Sequence, residues 1–375
     1  MDNQKIGTLE GISLILMVII SHLLLNIPQT IINTCGTSSS LNIIYLSIIA
    51  ILICCLIVWL MKKFPGCDII DISDYLGGRV LKTLIGFILI GYILFFAAIL
   101  LRNAIEALKI IYYFNSKVTF VAIFFIITPI IANIFGERAI IKCNLIITPI
   151  IIIVLLIAFI SVTPLFVWQR IFPIFGYGIN NTFGADGLSN IFAFNGLLVI
   201  MLLVPLLSKP KNFKKISITA ISITSVLLFL FVTTLLLAFP YVLSIESITP
   251  IYLMVVNTQF STFFQRPEAL FIFVWILFFM SYLNVIIMFS LKMFKKVAKI
   301  ENTKPLSYSF STLLFIFAFI PVGMTEVRFL ENTAYKYVTL IVTFFICISV
   351  LIGANIKYKI LNRKSSKKEE VKYNA

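Results

Sequence analysis

The residues best placed to do chemistry in this chain sit where an apolar helix should have none. Ser21, His22, Asn26, Pro28 and Gln29 fall inside one otherwise aliphatic run, GISLILMVIISHLLLNIPQTII. Proline has no amide hydrogen to donate to the carbonyl four residues back, at Leu24, so a helix running through it loses a hydrogen bond there. In hydrocarbon, backbone polar groups must find partners within the protein, and polar side chains at such depth mark candidate sites. Two arrangements fit. Either the helix is interrupted near Pro28, and its freed carbonyls and amides join the polar side chains in the wall of a small pocket. Or the proline only kinks it, and His22 and Asn26 bond to neighbouring helices.

Other apolar runs carry polar points of the same kind. Asn195-Gly196 is a second weak point, Tyr92 with Gly86 and Gly91 a third, and Ser281, Tyr282 and Asn284 form the most polar patch among the late runs. These residues line a cavity or bond helix to helix; for Asn195-Gly196 the second reading is an interhelical hydrogen bond beside a packing notch. Arg102 and Glu106 lie four apart on one helical face and pair or snorkel there, although an anionic ligand group would compete for Arg102. Arg266, Pro267 and Glu268 suit the opening turn of a helix. The chemistry on offer is recognition of a small solute. His22 is the only histidine, so a histidine metal cluster or a Ser-His-Asp triad lacks material. Cys35, Cys54, Cys55, Cys67, Cys143 and Cys347 show no metal-ligand spacing. No carboxylate stands near the centre of an apolar run, which leaves a proton relay of the pump type without support. Neither a cofactor nor enzymatic activity is expected.

The elements that must position these residues are membrane spans. Apolar side chains make up 61% of the chain and its mean hydropathy is +1.09. The apolar runs are near or above the roughly twenty residues that cross a bilayer, at about 11-32, 41-61, 83-105, 117-135, 143-163, 187-207, 216-240, 268-291, 307-323 and 335-355. This predicts an all-α integral membrane protein of ten transmembrane helices: one domain over 1-355 and a short polar tail, 356-375, without order of its own. The net charge of +15 fits this topology. With the amino terminus inside, only Arg102, Lys109, Lys117, Arg170, Arg266, Arg328 and Lys336 fall on the outer side, which is the bias that orients helices. Both termini are then cytoplasmic. The inner lysines sit against anionic lipid headgroups, and nothing supplies the platform a nucleic acid would need. The amino-terminal run lacks a small-residue cleavage pattern and is expected to be a retained span. The long outer connection before the sixth run, with Trp168, Phe172, Phe175 and Tyr177, is expected to lie on or re-enter the outer face as a cap.

An ordered set of motifs extends across these spans. Phe64-Pro65 is followed by Asp74-Tyr75-Leu76-Gly77, then Arg102 and Glu106, then Gly136-Glu137 with Lys142 and Pro149. Phe172-Pro173 with Gly176 and Gly178 comes next, and Gln265-Arg266-Pro267-Glu268-Ala269 with Trp275 opens the eighth span. In this set the chain resembles the B subunit of spore nutrient germinant receptors, the GerAB-type proteins of the amino acid-polyamine-organocation (APC) transporter superfamily. The resemblance implies an APC/LeuT-like inverted-repeat bundle in the spore inner membrane, with a pocket between broken spans 1 and 6. It implies a germinant-sensing subunit that binds a small nutrient such as an amino acid and acts with an A subunit and a lipoprotein C subunit. The alternative is a permease for amino acids or other small solutes, with or without ion coupling. Ser21, His22, Asn26, Pro28, Gln29, Tyr92, Arg102, Asn195, Gly196, Tyr282 and Asn284 are the expected ligand-binding residues. One departure stands out: transporters of this kind commonly break span 1 with glycines, which expose amides to a ligand carboxylate most easily. Here Ser21, His22, Asn26 and Pro28 occupy that stretch.

Overall fold

The computed structural model describes residues 5–24, 27–112, 115, 117–246, 250–256 and 267–373, and these are almost wholly helical. Helix α1 (Thr8–Leu23) opens where the Glu10 carboxylate accepts the Gly7 amide at 2.7 Å, and it closes on Leu24. Helix α2 (Ile27–Cys35) then begins with Pro28 in its first turn, where a missing amide hydrogen costs no bond. The first apolar run is therefore two helical pieces, and their boundary precedes Pro28. Asn26 lies outside the described residues. Gly36, at φ +66°, turns the chain into α3 (Ser39–Met61).

Helix α4 (Ile69–Ile111) starts far earlier than the expected third span, because Asp68 caps it. Its carboxylate accepts the Asp71 amide at 3.0 Å, and Asp71 reaches back to the Asp68 amide at 3.2 Å. Gly78, at φ +68°, kinks it between a short first segment and the longer remainder. Helices α5 (Val118–Phe135) and α6 (Glu137–Ser161) follow, with Phe120, Ile153 and Ile160 exposed on their outward faces, as lipid contact requires. The long connection forms α7 (Ile179–Phe183) and α8 (Ala185–Ser189) and keeps its aromatic side chains exposed. It crosses the end of α2 at Gly176 (φ +47°), where a Cβ would come within 2.2 Å of the Cys35 carbonyl oxygen.

The sixth run is not one helix. A 3-10 stretch (Asn190–Phe194) gives way at Asn195-Gly196 to α9 (Leu197–Leu203), and a second 3-10 turn (Val204–Leu206) ends it. Helices α10 (Phe213–Ala238), α11 (Tyr241–Glu246), α12 (Pro250–Val256), α13 (Pro267–Ala298) and α14 (Leu306–Ala318) continue the bundle. The last stretch runs through α15 (Met324–Leu330), a π-helical segment (Glu331–Tyr335), α16 (Lys336–Thr339), a second π segment (Leu340–Ile346) and α17 (Cys347–Tyr373). It begins before the expected residue 335. It also continues through the polar tail, which was expected to lack order: lysine and glutamate are good helix formers and extend a helix already nucleated.

Eight helical stretches among the described residues are long and apolar enough to cross a membrane. The other two expected spans, α1 and α14, are shorter apolar helices of 16 and 13 residues. Helix α1 packs on α6, α9, α10 and α13, and every residue from Ser13 to Leu24 is buried. At the end of the bundle nearest the amino terminus, Ile6 pairs with the chain after α9, its amide 2.7 Å from the Leu206 carbonyl. At that end Lys296 of α13 also reaches Asp68 at 2.6 Å and Asp71 at 2.5 Å, tying α13 to the start of α4.

The contact between α1 and the sixth run is tightest at Gly196. A Cβ there would fall 2.2 Å from Ile19 Cγ1 and 2.5 Å from its Cδ1. Gly196→Ala is expected to force these two elements apart, at a cost of about 1–3 kcal/mol, seen as a lower midpoint in thermal unfolding of the purified chain. An unchanged midpoint would mean that the two breaks do not pack as described.

Candidate functional site

A cavity lies where the two interrupted runs meet. His22 lies in the last turn of α1 and Asn195 caps the 3-10 stretch before α9, and both line the same small space. Helices α4 and α13 close its sides with Tyr92 and Tyr282, and Phe96 and Phe289 line it beside aliphatic side chains of α1, α4, α9 and α13. No lysine, arginine, aspartate or glutamate is among the lining residues. The cavity leaves about 20 Å³ for the centre of a water molecule, room for roughly one water.

The polar groups around it are joined in a chain. Asn195 Nδ2 donates to the Tyr335 hydroxyl at 2.5 Å, and that hydroxyl lies 2.7 Å from His22 Nδ1. His22 Nε2 lies 3.3 Å from the Tyr282 hydroxyl. All four side chains are buried, Tyr282 at 1% exposure. Ring contacts hold the geometry: His22 and Tyr335 lie nearly parallel, 5.1 Å between centroids, while Phe96 and Phe192 pack on Tyr335 at 4.5 and 5.4 Å. Tyr92 stands apart from this chain and donates to Thr339 Oγ1 at 3.1 Å.

Of the expected residues, the structure thus brings together His22, Tyr92, Asn195 and Tyr282. The others fall elsewhere. Asn284 is two positions past Tyr282, about 200° around the helix, and is not among the lining residues; its backbone carbonyl accepts Asn133 Nδ2 of α5 at 3.4 Å. Arg102 lies ten residues beyond Tyr92, about 15 Å along α4. There it pairs with Glu106 at 2.9 Å, donates to the Val322 carbonyl at 3.0 Å and stacks over Phe319 at 4.9 Å, so its hydrogen bonds serve the connection after α14. The Ser21 hydroxyl is taken by the Met17 carbonyl at 2.7 Å. Pro28 and Gln29 are buried on α2, beyond the break, and Gly196 is filled by Ile19.

Tyr335 is the site residue that sequence reasoning missed. With it comes a buried carboxylate that no central span position announced: Asn103 Nδ2 donates to both oxygens of Glu331 at 3.0 Å, and Glu331 is 7% exposed. Glu331, Tyr335 and Thr339 recur every four residues, which is the spacing of one helical face. That spacing was the available signal. The π-helical segments beside them fit a functional site, where such segments concentrate.

A family model described as spore germination protein matches residues 5–327, most of the chain. No curated protein matches it. The matched region carries His22, Tyr92, Asn195 and Tyr282, while Tyr335 lies beyond its end.

Proposed function

The chain belongs to the spore germination protein family, whose members are germination-related membrane subunits or permease-like proteins, and on that premise we propose that it is the germinant-sensing subunit of a spore receptor. It sits in the spore inner membrane with both termini on the core side, and it acts with an A subunit and a lipoprotein C subunit. It does no bond-making chemistry. The ligand is a small nutrient such as an amino acid, held between the breaks in spans 1 and 6.

One observation carries this reading. The breaks converge on a cavity with polar groups and no fixed charge, but with room for only about one water. Ligand pockets are roughly tenfold larger or more, so a nutrient binds only after the helices around His22 move apart. Ligand binding and a change of packing are then the same event, which is what a sensor requires: a ligand shifts an equilibrium only by its differential affinity for the two states.

Purified chain is expected to bind a germinant that triggers spores carrying it. Asn195→Ala should raise the germinant concentration for half-maximal response about 2- to 12-fold, the worth of one lost hydrogen bond at about 0.5–1.5 kcal/mol. Ile146→Ala, on the exposed face of α6, should leave it unchanged. Failure to bind any triggering germinant would overturn the reading. A permease remains the second reading, because interrupted spans facing each other across a midplane site also serve alternating access. Coupled solute uptake into sealed vesicles would favour it.

A further inference from the structure

The hydrogen-bond chain beside the cavity has a direction, and following the protons gives it. Asn195 Nδ2 is a donor, so the Tyr335 oxygen accepts from it and must send its own proton onward. The group that receives it is His22 Nδ1, at 2.7 Å. A neutral imidazole with an accepting Nδ1 carries its proton on Nε2, and that proton points at the Tyr282 oxygen, 3.3 Å away. The Tyr282 hydroxyl proton then has no acceptor in this hydrogen-bonded series among the described residues. At the opposite end, Asn195 Oδ1 is buried without a partner among the described residues. Turning the Asn195 amide would leave both its hydrogens unbonded, whereas the orientation seen leaves one hydrogen and the carbonyl oxygen, and buried donors without partners are the rarer case. The geometry therefore favours this direction.

We infer that His22 is a positioning residue, held as the Nε2-protonated tautomer by Tyr335, and that it thereby fixes the polarity of the cavity: an acceptor at Asn195 Oδ1 and a donor at the Tyr282 hydroxyl. With no charged side chain in the lining, an ion of net charge would be buried unpaired. The class of ligand that matches is a small molecule without net charge that offers N–H or O–H hydrogens at one end and a carbonyl or carboxylate oxygen at the other. A zwitterionic α-amino acid and a primary amide both qualify; a simple amine cation and a simple carboxylate anion do not. The four side chains come from α1, the sixth run, α13 and the last helical stretch, so the same chain reports whether those elements are closed together.

The assignment of a ligand class rests on the reading of this cavity as the sensing site; the tautomer does not. It can be read on the unliganded full chain. His22 is the only histidine, so protein labelled with [15N]histidine and held in lipid nanodiscs gives the nitrogen spectrum of this residue alone. The expected spectrum shows an unprotonated Nδ1 and a protonated Nε2. Tyr335→Phe should shift the Nδ1 resonance, and Tyr282→Phe the Nε2 resonance. A protonated Nδ1 or an imidazolium in the wild-type chain at neutral pH would overturn the inference. So would variants that leave both resonances in place. The wild-type spectrum decides the tautomer even if a variant fails to fold. A correct tautomer in a chain that binds no triggering germinant would instead count against the sensing reading.

Discussion

Tyr335→Phe is expected to destabilise the closed bundle by roughly 2–6 kcal/mol, because it leaves two buried polar groups without a partner at about 1–3 kcal/mol each. The ring stays, so its packing on Phe96 and Phe192 is kept. Only the hydroxyl is lost, and with it the bonds to Asn195 Nδ2 and His22 Nδ1. The purified variant should unfold at a lower temperature. If the closed packing is also the resting state of a sensor, the same substitution raises the fraction of open chain and with it the response in the absence of germinant. Spores carrying Tyr335→Phe should germinate spontaneously at a higher rate than wild type. An unchanged midpoint together with unchanged spontaneous germination would remove Tyr335 from the site.

Lys296→Met should cost roughly 3 kcal/mol, near the lower end for breaking a buried ion pair, since the lysine side chain keeps 29% of its exposure while Asp68 keeps 8%. The variant leaves Asp68 and Asp71 side by side at the start of α4 with their shared cation gone. Adding Asp68→Asn to Lys296→Met should recover much of the loss, and the non-additivity measures the coupling. A loss below about 1 kcal/mol would make the contact an ordinary surface pair.

The sequence reveals much of this because hydrocarbon exposes exceptions. A histidine or an asparagine in an aliphatic run has few reasons to be there, and His22, Tyr92, Asn195 and Tyr282 all reach the cavity. The Arg102–Glu106 pair was legible from its four-residue spacing, and it forms. Which way a residue faces was harder to read. Asn284 looked like part of a patch with Tyr282, but two steps along a helix place it on the opposite side. Tyr335 was hidden for a different reason. It is the first residue of the expected tenth run, and Arg328, Glu331 and Lys336 around it mark that end as the edge of a connection, whereas the helix begins earlier and buries Glu331 against Asn103. The cap at Asp68 and the kink at Gly78 are local features of α4, whereas the tie from Lys296 of α13 to Asp68 joins residues far apart in sequence.

On the proposed function, germinant occupies the cavity between α1, the sixth run, α4 and α13. The most direct measurement is a titration of [15N]histidine-labelled chain in nanodiscs with a germinant that triggers the spores, followed at His22. Because His22 lines the cavity and is the only histidine, its resonances should shift saturably over the same concentration range as binding. A germinant that binds the chain to saturation while the His22 resonances stay fixed would contradict the claim and place the ligand elsewhere.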